Sequence, residues 1–403
     1  MQAPFLHVRG VSAREECGIV ARDGAAAVNG HGNKIHVGIV FGGRSGEHEI
    51  SLRSARCIVD AIDRDKYRLS LIGIDRGGRW HLLDEPAFQR LTAAGLPVVT
   101  STGADVMLLP TPSRGALIDL AHPMVPVDRL DVVFPVLHGP YGEDGTMQGF
   151  LDLADVPYVG AGVLASAVGM DKDVQKRLLQ AAGVAVVPCV TVARAQWEAA
   201  PQAITARAAE LGVPLFVKPV NLGSSVGISK VKAINDLSAA VATALEYDNK
   251  VLIEKGIDAR EIECAVLGND DPQASVPGEI CAHAEFYSYE AKYIDADGAT
   301  LRIPAPLTES EAARVRSLAI TVFQLLDCAG MARVDFFLER GTGTIYVNEL
   351  NTIPGFTTIS MYPKMWEASG LPYRELIDRL ITLALERHAQ RRRLKKTYTP
   401  AGK

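Results

Sequence analysis

MARVDFFLERGTGTIYVNELN, residues 331–351, reads as two β-rich arms joined through Gly341-Thr342-Gly343. Glycines in such a turn supply the backbone angles that a tight reversal needs. A hairpin symmetric about Thr342 sets Asp335 opposite Glu349 and Arg333 opposite Asn351. Side chains alternate along a strand, so all four then share one face. Two facing carboxylates repel unless a cation lies between them, and the amide of Asn351 completes a set of hard oxygen donors. That set suits magnesium, which takes few protein ligands and fills its shell with water and phosphate oxygens.

Upstream of the hairpin, PLFVKPVNLGSSVGISKV (214–231) runs as a strand that delivers Lys218 into a Gly-Ser loop, 223–227. Backbone N–H groups and serine hydroxyls in such a loop can cradle phosphate, although the loop also fits an ordinary turn. It is not a Walker A loop, because GxxxxGK[ST] is absent. In VLIEKGIDAREIECAVLG (251–268), Glu254 ends one strand and Glu261 and Glu263 begin the next. The bend offers Glu254 to a purine edge and Glu261 to a ribose hydroxyl, or else carries solvated acids. Nearer the N-terminus, FGGRSGEHEISL (41–52) and LHGPYGEDGTMQG (137–149) follow apolar strands and place Glu47 and His138 just past the strand ends. FYSYEAKYIDADG (286–298) is polar and aromatic, as a mobile lid would be.

The composition bounds these readings. The chain has 403 residues, 48% hydrophobic and 22% charged, which suits a globular protein of two or three domains. A net charge of -5, with no basic-aromatic interleaving, argues against a nucleic-acid partner. No apolar run reaches the roughly 18 to 20 residues of a membrane span, so no membrane partner is expected. Six scattered cysteines without a CxxC pair point to reduced thiols in a cytosolic setting.

Strands alternate with helical segments from KIHVGIVFGG onward, implying parallel βαβ units whose two glycine turns face one cleft. DKDVQKRLLQAAG (171–183) reads as a charged helix ending at Gly183. Thr308 and Glu311 have capping-box spacing at the head of a helix with Val315, Leu318, Val322 and Leu325–Leu326 on its apolar face. RHAQRRRLKK (387–396) reads as a solvated helix end and tail. The expected divisions are a leader, 1–33; an N-terminal domain, 34–161; a central domain, 162–255; a C-terminal domain, 256–390; and a basic tail, 391–403.

Together GGRSGEHEIS, HGPYGEDGTMQG, MDKDVQK, VKPVNLGSSVGISK, EKGIDAREIE, EAKYIDA, RVDFF and VNELNTIPGFT, in this order, make the chain resemble the D-alanine–D-alanine ligases of the ATP-grasp superfamily. The resemblance runs from about Val37 to about Leu385. It implies an α/β protein, α+β in its ATP-grasp part, with an N-terminal parallel-sheet domain and two domains clasping ATP. It implies Lys172, Lys218, Ser224, Glu254, Lys255 and Glu261 for ATP, and Asp335, Glu349 and Asn351 for two Mg2+ or Mn2+ ions. Glu47, supported by Ser225 and Tyr293, would orient the ammonium of the first D-alanine, with His138 near its carboxylate. Arg333 and the Gly355 N–H would form an oxyanion site, with Lys292 and Ser360 holding the second D-alanine. The EAKY segment argues for an amide product over a D-alanine–D-lactate ester. A homodimer in the bacterial cytoplasm, supplying peptidoglycan precursors, completes what the resemblance implies.

Overall fold

The computed structural model describes residues 34–93, 97–100, 103–112, 115–124, 126–282 and 299–398. Its first sheet contains β1 (Ile35–Gly42), β2 (Tyr67–Ile74), β3 (Trp80–Leu83), β4 (Ala104–Leu108), β5 (Ala116–Asp119), β6 (Pro126–Arg129) and β7 (Val132–Val136). Their spatial order is β6-β5-β4-β3-β2-β1-β7. β1 lies between β2 and β7, parallel to both. Val37, Ile39, Val40 and Phe41 of β1 are all buried, as a central strand covered on both faces requires. The parallel β2-β1-β7 core is as expected, and from β2 to β6 the sheet continues with antiparallel neighbours. The links there are too short for the crossover that a parallel pair demands.

The two glycine turns leave the adjacent ends of β1 and β7, so they do lie side by side. The helix His48–Ala61 clamps them: Ser51 Oγ accepts from Gly42 N–H at 2.7 Å and donates to the Val136 carbonyl.

A second sheet, all antiparallel, orders β8 (Cys189–Ala193), β9 (Leu215–Pro219), β10 (Ser229–Val231) and β11 (Lys250–Lys255) as β10-β9-β11-β8. It has a core of its own, with Val192, Val217, Val241 and Ile253. The third sheet holds β12 (Ala259–Gly268), β13 (Gln273–Ala274), β14 (Gly278–Ala282), β15 (Ala299–Arg302), β16 (Gly330–Glu339) and β17 (Ile345–Asn351). Its path is β15-β14-β12-β16-β17, with β13 beside β12. The helix Glu309–Leu325 covers it, with the predicted capping box formed by Thr308 and Glu311. Its buried residues are Val315, Ala319, Val322 and Phe323. Leu325, expected on that face, is 43% exposed. The helix ends there and Leu326 takes the inward place.

The first and third sheets share one core. Val37 and Phe134 meet Phe356 and Tyr362, then Leu376 and Leu380 of the helix Tyr373–Arg392. Of the basic run 387–396, residues 389–396 are the solvated helix end and tail expected, while Arg387 and His388 are half-buried. Arg387 donates to the carbonyls of Tyr158 and Gly160 and lies over the Tyr158 ring, 4.7 Å from its centroid. His388 pairs with Asp155 and Arg391 with Asp152. The composition of the run gave no hint of it, because these partners lie more than two hundred residues earlier.

Candidate active site

Lys218 sits near the end of β9, and the loop that follows bends back on itself through Ser224 and Ser225 at φ 51° and 60°. Left-handed backbone costs a non-glycine residue roughly 1–2 kcal/mol, and strain of that kind gathers at ligand sites. The loop closes one side of a cavity of about 510 Å³ between the second and third sheets. Lys172, Lys218, Ser225, Lys255, Glu261 and Glu349 line it, so it holds the lysines and the loop that sequence reasoning grouped for phosphate. Lys172 Nζ donates to the Leu222 carbonyl at 2.7 Å and lies 3.1 Å from Glu349 Oε2.

Glu254 stands near the end of β11, at the wall of this cavity. Its carboxylate is 2% exposed and wedged between two lysines, Lys218 at 2.5 Å and Lys176 at 2.6 Å. Burial pushes the Glu254 carboxyl up, but the two ammonium groups outweigh it and hold it down to about 2. It nevertheless lines the cavity, and each oxygen keeps a lone pair beyond its lysine. The chain from Lys255 to Ala259 lines the same cavity.

A second cavity of about 410 Å³ adjoins the first, sharing Ser224, Glu261, Asn348 and Glu349 with it. Glu47, His138, Arg333, Asp335, Asn351, Gly355 and Ser360 line it. Glu47 lies at the first glycine turn and is 9% exposed. Gly139, at φ 76°, makes room for it: a Cβ there would stand 2.9 Å from Glu47 Oε2. Ser224 Oγ donates a hydrogen bond to Glu47; sequence reasoning set Ser225, its neighbour in the chain, beside that acid. Both serines of the reversal line the first cavity, and Ser224 lines the second as well.

His138 is 5% exposed, with Nδ1 3.0 Å from the Ile353 carbonyl and Nε2 3.2 Å from Ser54 Oγ. Burial lowers its pKa, keeping the ring neutral near pH 7. Ser360 Oγ accepts from Thr357 N–H at 3.0 Å, and a Cβ on Gly355 would come within 2.9 Å of it.

The hairpin has the expected pairs: Arg333 faces Asn351 and Asp335 faces Glu349. The symmetry then breaks, for Phe336 pairs with Val347, leaving Asn348 as the extra residue of a bulge. Val347 and Leu350 both keep to the core while Asn348 and Glu349 both reach the cavity. On the neighbouring strand Glu263 faces Asp335, so three carboxylates cross three strands in a row. Arg333 answers them with two hydrogen bonds of 2.7 Å to Asp335 and a 3.0 Å approach to Glu263. Burial alone would lower the Arg333 pKa, but Asp335 and Glu263 raise it well above normal.

Among the described residues no three His, Cys, Asp or Glu side chains form a metal cage. The donors here are two carboxylates and an amide, and Asn351 Nδ2 donates to Asp335 at 2.9 Å. Each carboxylate has a cation beside it, Arg333 at Asp335 and Lys172 at Glu349, and each retains lone pairs for a further bond. The donor chemistry therefore fits a magnesium ion that brings its own water and phosphate ligands.

Tyr293, Lys292 and the 286–298 segment lie outside the described residues. Sequence reasoning missed Lys176, Glu143 and the part played by Glu263. Glu143 accepts from Gly139 N–H at 2.7 Å and Ile353 N–H at 3.1 Å, tying the second glycine turn to the end of the hairpin. For Lys176 a signal existed, since it follows Lys172 by one helical turn.

Family models for the N-terminal and C-terminal parts of D-ala D-ala ligase match residues 36–161 and 178–382. The chain belongs to the D-alanine–D-alanine ligase family. A D-alanine–D-alanine ligase A of Chromobacterium violaceum is 51% identical over 355 residues, 88% of this chain and 96% of that one. The ligase A of Escherichia coli K12 is 50% identical over 367 residues, 90% and 99% of the two chains. Among solved structures, the D-alanine–D-alanine ligase of Coxiella burnetii superposes with a TM-score of 0.76 at 41% identity, covering 89% of this chain and 96% of that one. A VanG D-Ala:D-Ser ligase of Enterococcus faecalis gives the same TM-score, 0.76, at 36% identity, covering 87% and 100%. The fold is thus the ATP-grasp fold of this ligase family, whose members use ATP and generally need a divalent metal.

Proposed function

We propose that the protein joins two D-alanine molecules into D-alanyl-D-alanine, spending one ATP and passing through an acyl phosphate. The observation that carries this reading is the contact between Ser224 of the phosphate loop and Glu47 of the first glycine turn. It sets an ammonium-binding acid beside the cavity that holds the lysines, within reach of a nucleotide's terminal phosphate. ATP binds among Lys172, Lys218, Ser224, Ser225, Lys255 and Glu261. Glu47 takes the ammonium of the first D-alanine, and the neutral His138 stands near its carboxylate. Asp335, Glu349 and Asn351 would hold the magnesium, which offsets phosphate charge when bound.

The carboxylate oxygen of the first D-alanine attacks the γ-phosphorus and ADP departs. The free amine of the second, held at Ser360 with Lys292, then attacks the acyl carbon. Arg333 and the Gly355 N–H receive the oxyanion; phosphate leaves as the C–N bond forms and the amine gives up a proton. Loss of one such donor typically lowers the rate roughly 100- to 1000-fold. Tyr293 and the 286–298 segment serve to shut water out of the acyl phosphate.

The setting follows from the substrates: a bacterial cytoplasm, in a chain with no helix among the described residues long and apolar enough to cross a membrane. Dimerisation is proposed through the first sheet's antiparallel half, where Leu120, Met124 and Val127 are exposed.

The test is phosphate release from ATP with D-alanine, L-alanine, D-serine or D-lactate as acceptor, with products identified by mass. Release that depends on D-alanine and yields the dipeptide supports the reading. Faster turnover with D-serine or D-lactate as second substrate would move the assignment to that ligase class.

A further inference from the structure

Lys172 and Lys176 occupy one face of the helix Lys172–Ala181, one turn apart. Like charges so placed repel, and each has its own acid: Glu349 for Lys172, Glu254 for Lys176. Lys176 differs from the other cavity lysines in being 2% exposed, and it does not line the phosphate cavity. Its Nζ lies 2.6 Å from Glu254 Oε1, so the two form a buried ion pair. The other oxygen of Glu254 accepts from Lys218 at 2.5 Å. Lys218 is the member of this trio that faces the cavity as a cation. Cys189 is close by, but burial pushes its thiol pKa up, so it adds no charge.

We propose that Lys176 is a positioning residue that sets the charge of the phosphate cavity: by occupying one oxygen of Glu254, it leaves the Lys176–Glu254–Lys218 trio with a surplus positive charge, presented through Lys218 to the nucleotide's phosphates. With Lys218 and Glu254 alone, the buried pair would be neutral and the lysine's field would be spent on its partner. Glu254 also holds the Lys218 ammonium at the strand end, through a hydrogen bond that a glutamine oxygen there can still accept. The trio therefore acts as one group of net charge +1, aimed by its exposed member. The inference rests on reading this cavity as the ATP site, and its test separates the two.

The experiment measures dissociation constants of the full-length protein for ATP and for adenosine, which lacks the phosphates, by calorimetry. Lys176→Met is expected to weaken ATP about ten- to a hundredfold, with adenosine affinity unchanged. Lys176→Met combined with Glu254→Gln restores the trio's net charge of +1 and is expected to recover most of the ATP affinity. Equal losses for ATP and adenosine would mean a structural role and overturn the proposal, as would failure of the double variant to recover ATP binding. If Lys176→Met does not fold, Glu254→Gln alone decides. It raises the surplus and should tighten ATP but not adenosine, and an unchanged or weaker ATP affinity overturns the idea. Lys218→Met is the control for the cavity. If it loses ATP while Lys176→Met does not, the inference falls and the ATP site stands; if neither loses ATP, both fall.

Discussion

At the scale of single residues, burial and partners push two glutamates in opposite directions. Burial, and then the nearby Glu47, raise Glu143 from 4.5 to about 8, although two backbone N–H groups work against them. A raised carboxyl binds its proton more tightly in the folded state. Stability from this group therefore falls as pH climbs from about 4.5, where the unfolded carboxyl ionises, to about 8. The expected drop is about 1–2 kcal/mol, less than the full shift implies because the side chain keeps some contact with water. Guanidinium unfolding at pH 5 and pH 8 measures it, and Glu143→Ala should flatten the slope; an unchanged slope in the variant contradicts this account. Glu254 has the opposite sign: its contribution is present above pH 4.5 and is lost as pH falls toward 2.

At the scale of elements, local chemistry suffices for some features and not for others. The capping box at Thr308 is a contact between residues three apart, so its spacing in sequence is its geometry. Thr308→Ala should cost about 1 kcal/mol of stability, read by denaturant unfolding, with turnover unchanged because neither Thr308 nor Glu311 lines either cavity. The hairpin pairs Asp335–Glu349 and Arg333–Asn351 were legible for the same reason: a short turn fixes register, and register fixes the face. The bulge at Asn348 was not legible. It depends on Val347 and Leu350 both finding places in the core under the helix Glu309–Leu325, which two-residue alternation cannot foresee.

The whole molecule joins the first and third sheets into one core and leaves the second sheet with a separate one. Arg387 binds that joint, with its guanidinium pKa lowered by burial and two carbonyls of the 158–160 segment as acceptors. Arg387→Ala would orphan those carbonyls and is expected to cost about 3 kcal/mol. Arg391→Ala, which breaks a half-exposed pair with Asp152, should cost less than about 1 kcal/mol. Thermal unfolding of the two variants side by side distinguishes them, and equal effects would show that Arg387 is no special joint.

Sequence alone determined what depends on near neighbours: the glycine turns after β1 and β7, the hairpin's facing pairs, the helix caps, and the ordered motifs that mark the family. Interactions of this kind are decided by backbone angles and spacing within a few residues. Tertiary structure decided which side chains meet across the chain: Ser224 at Glu47, Lys176 at Glu254, Glu263 at Arg333, Arg387 at Tyr158 and Gly160. Each of these pairs joins segments set beside one another by packing, and a charge or hydroxyl in a sequence carries no mark of its distant partner. Only when the sheets close does a buried lysine meet Glu254 and an arginine of the last helix meet the carbonyls of Tyr158 and Gly160.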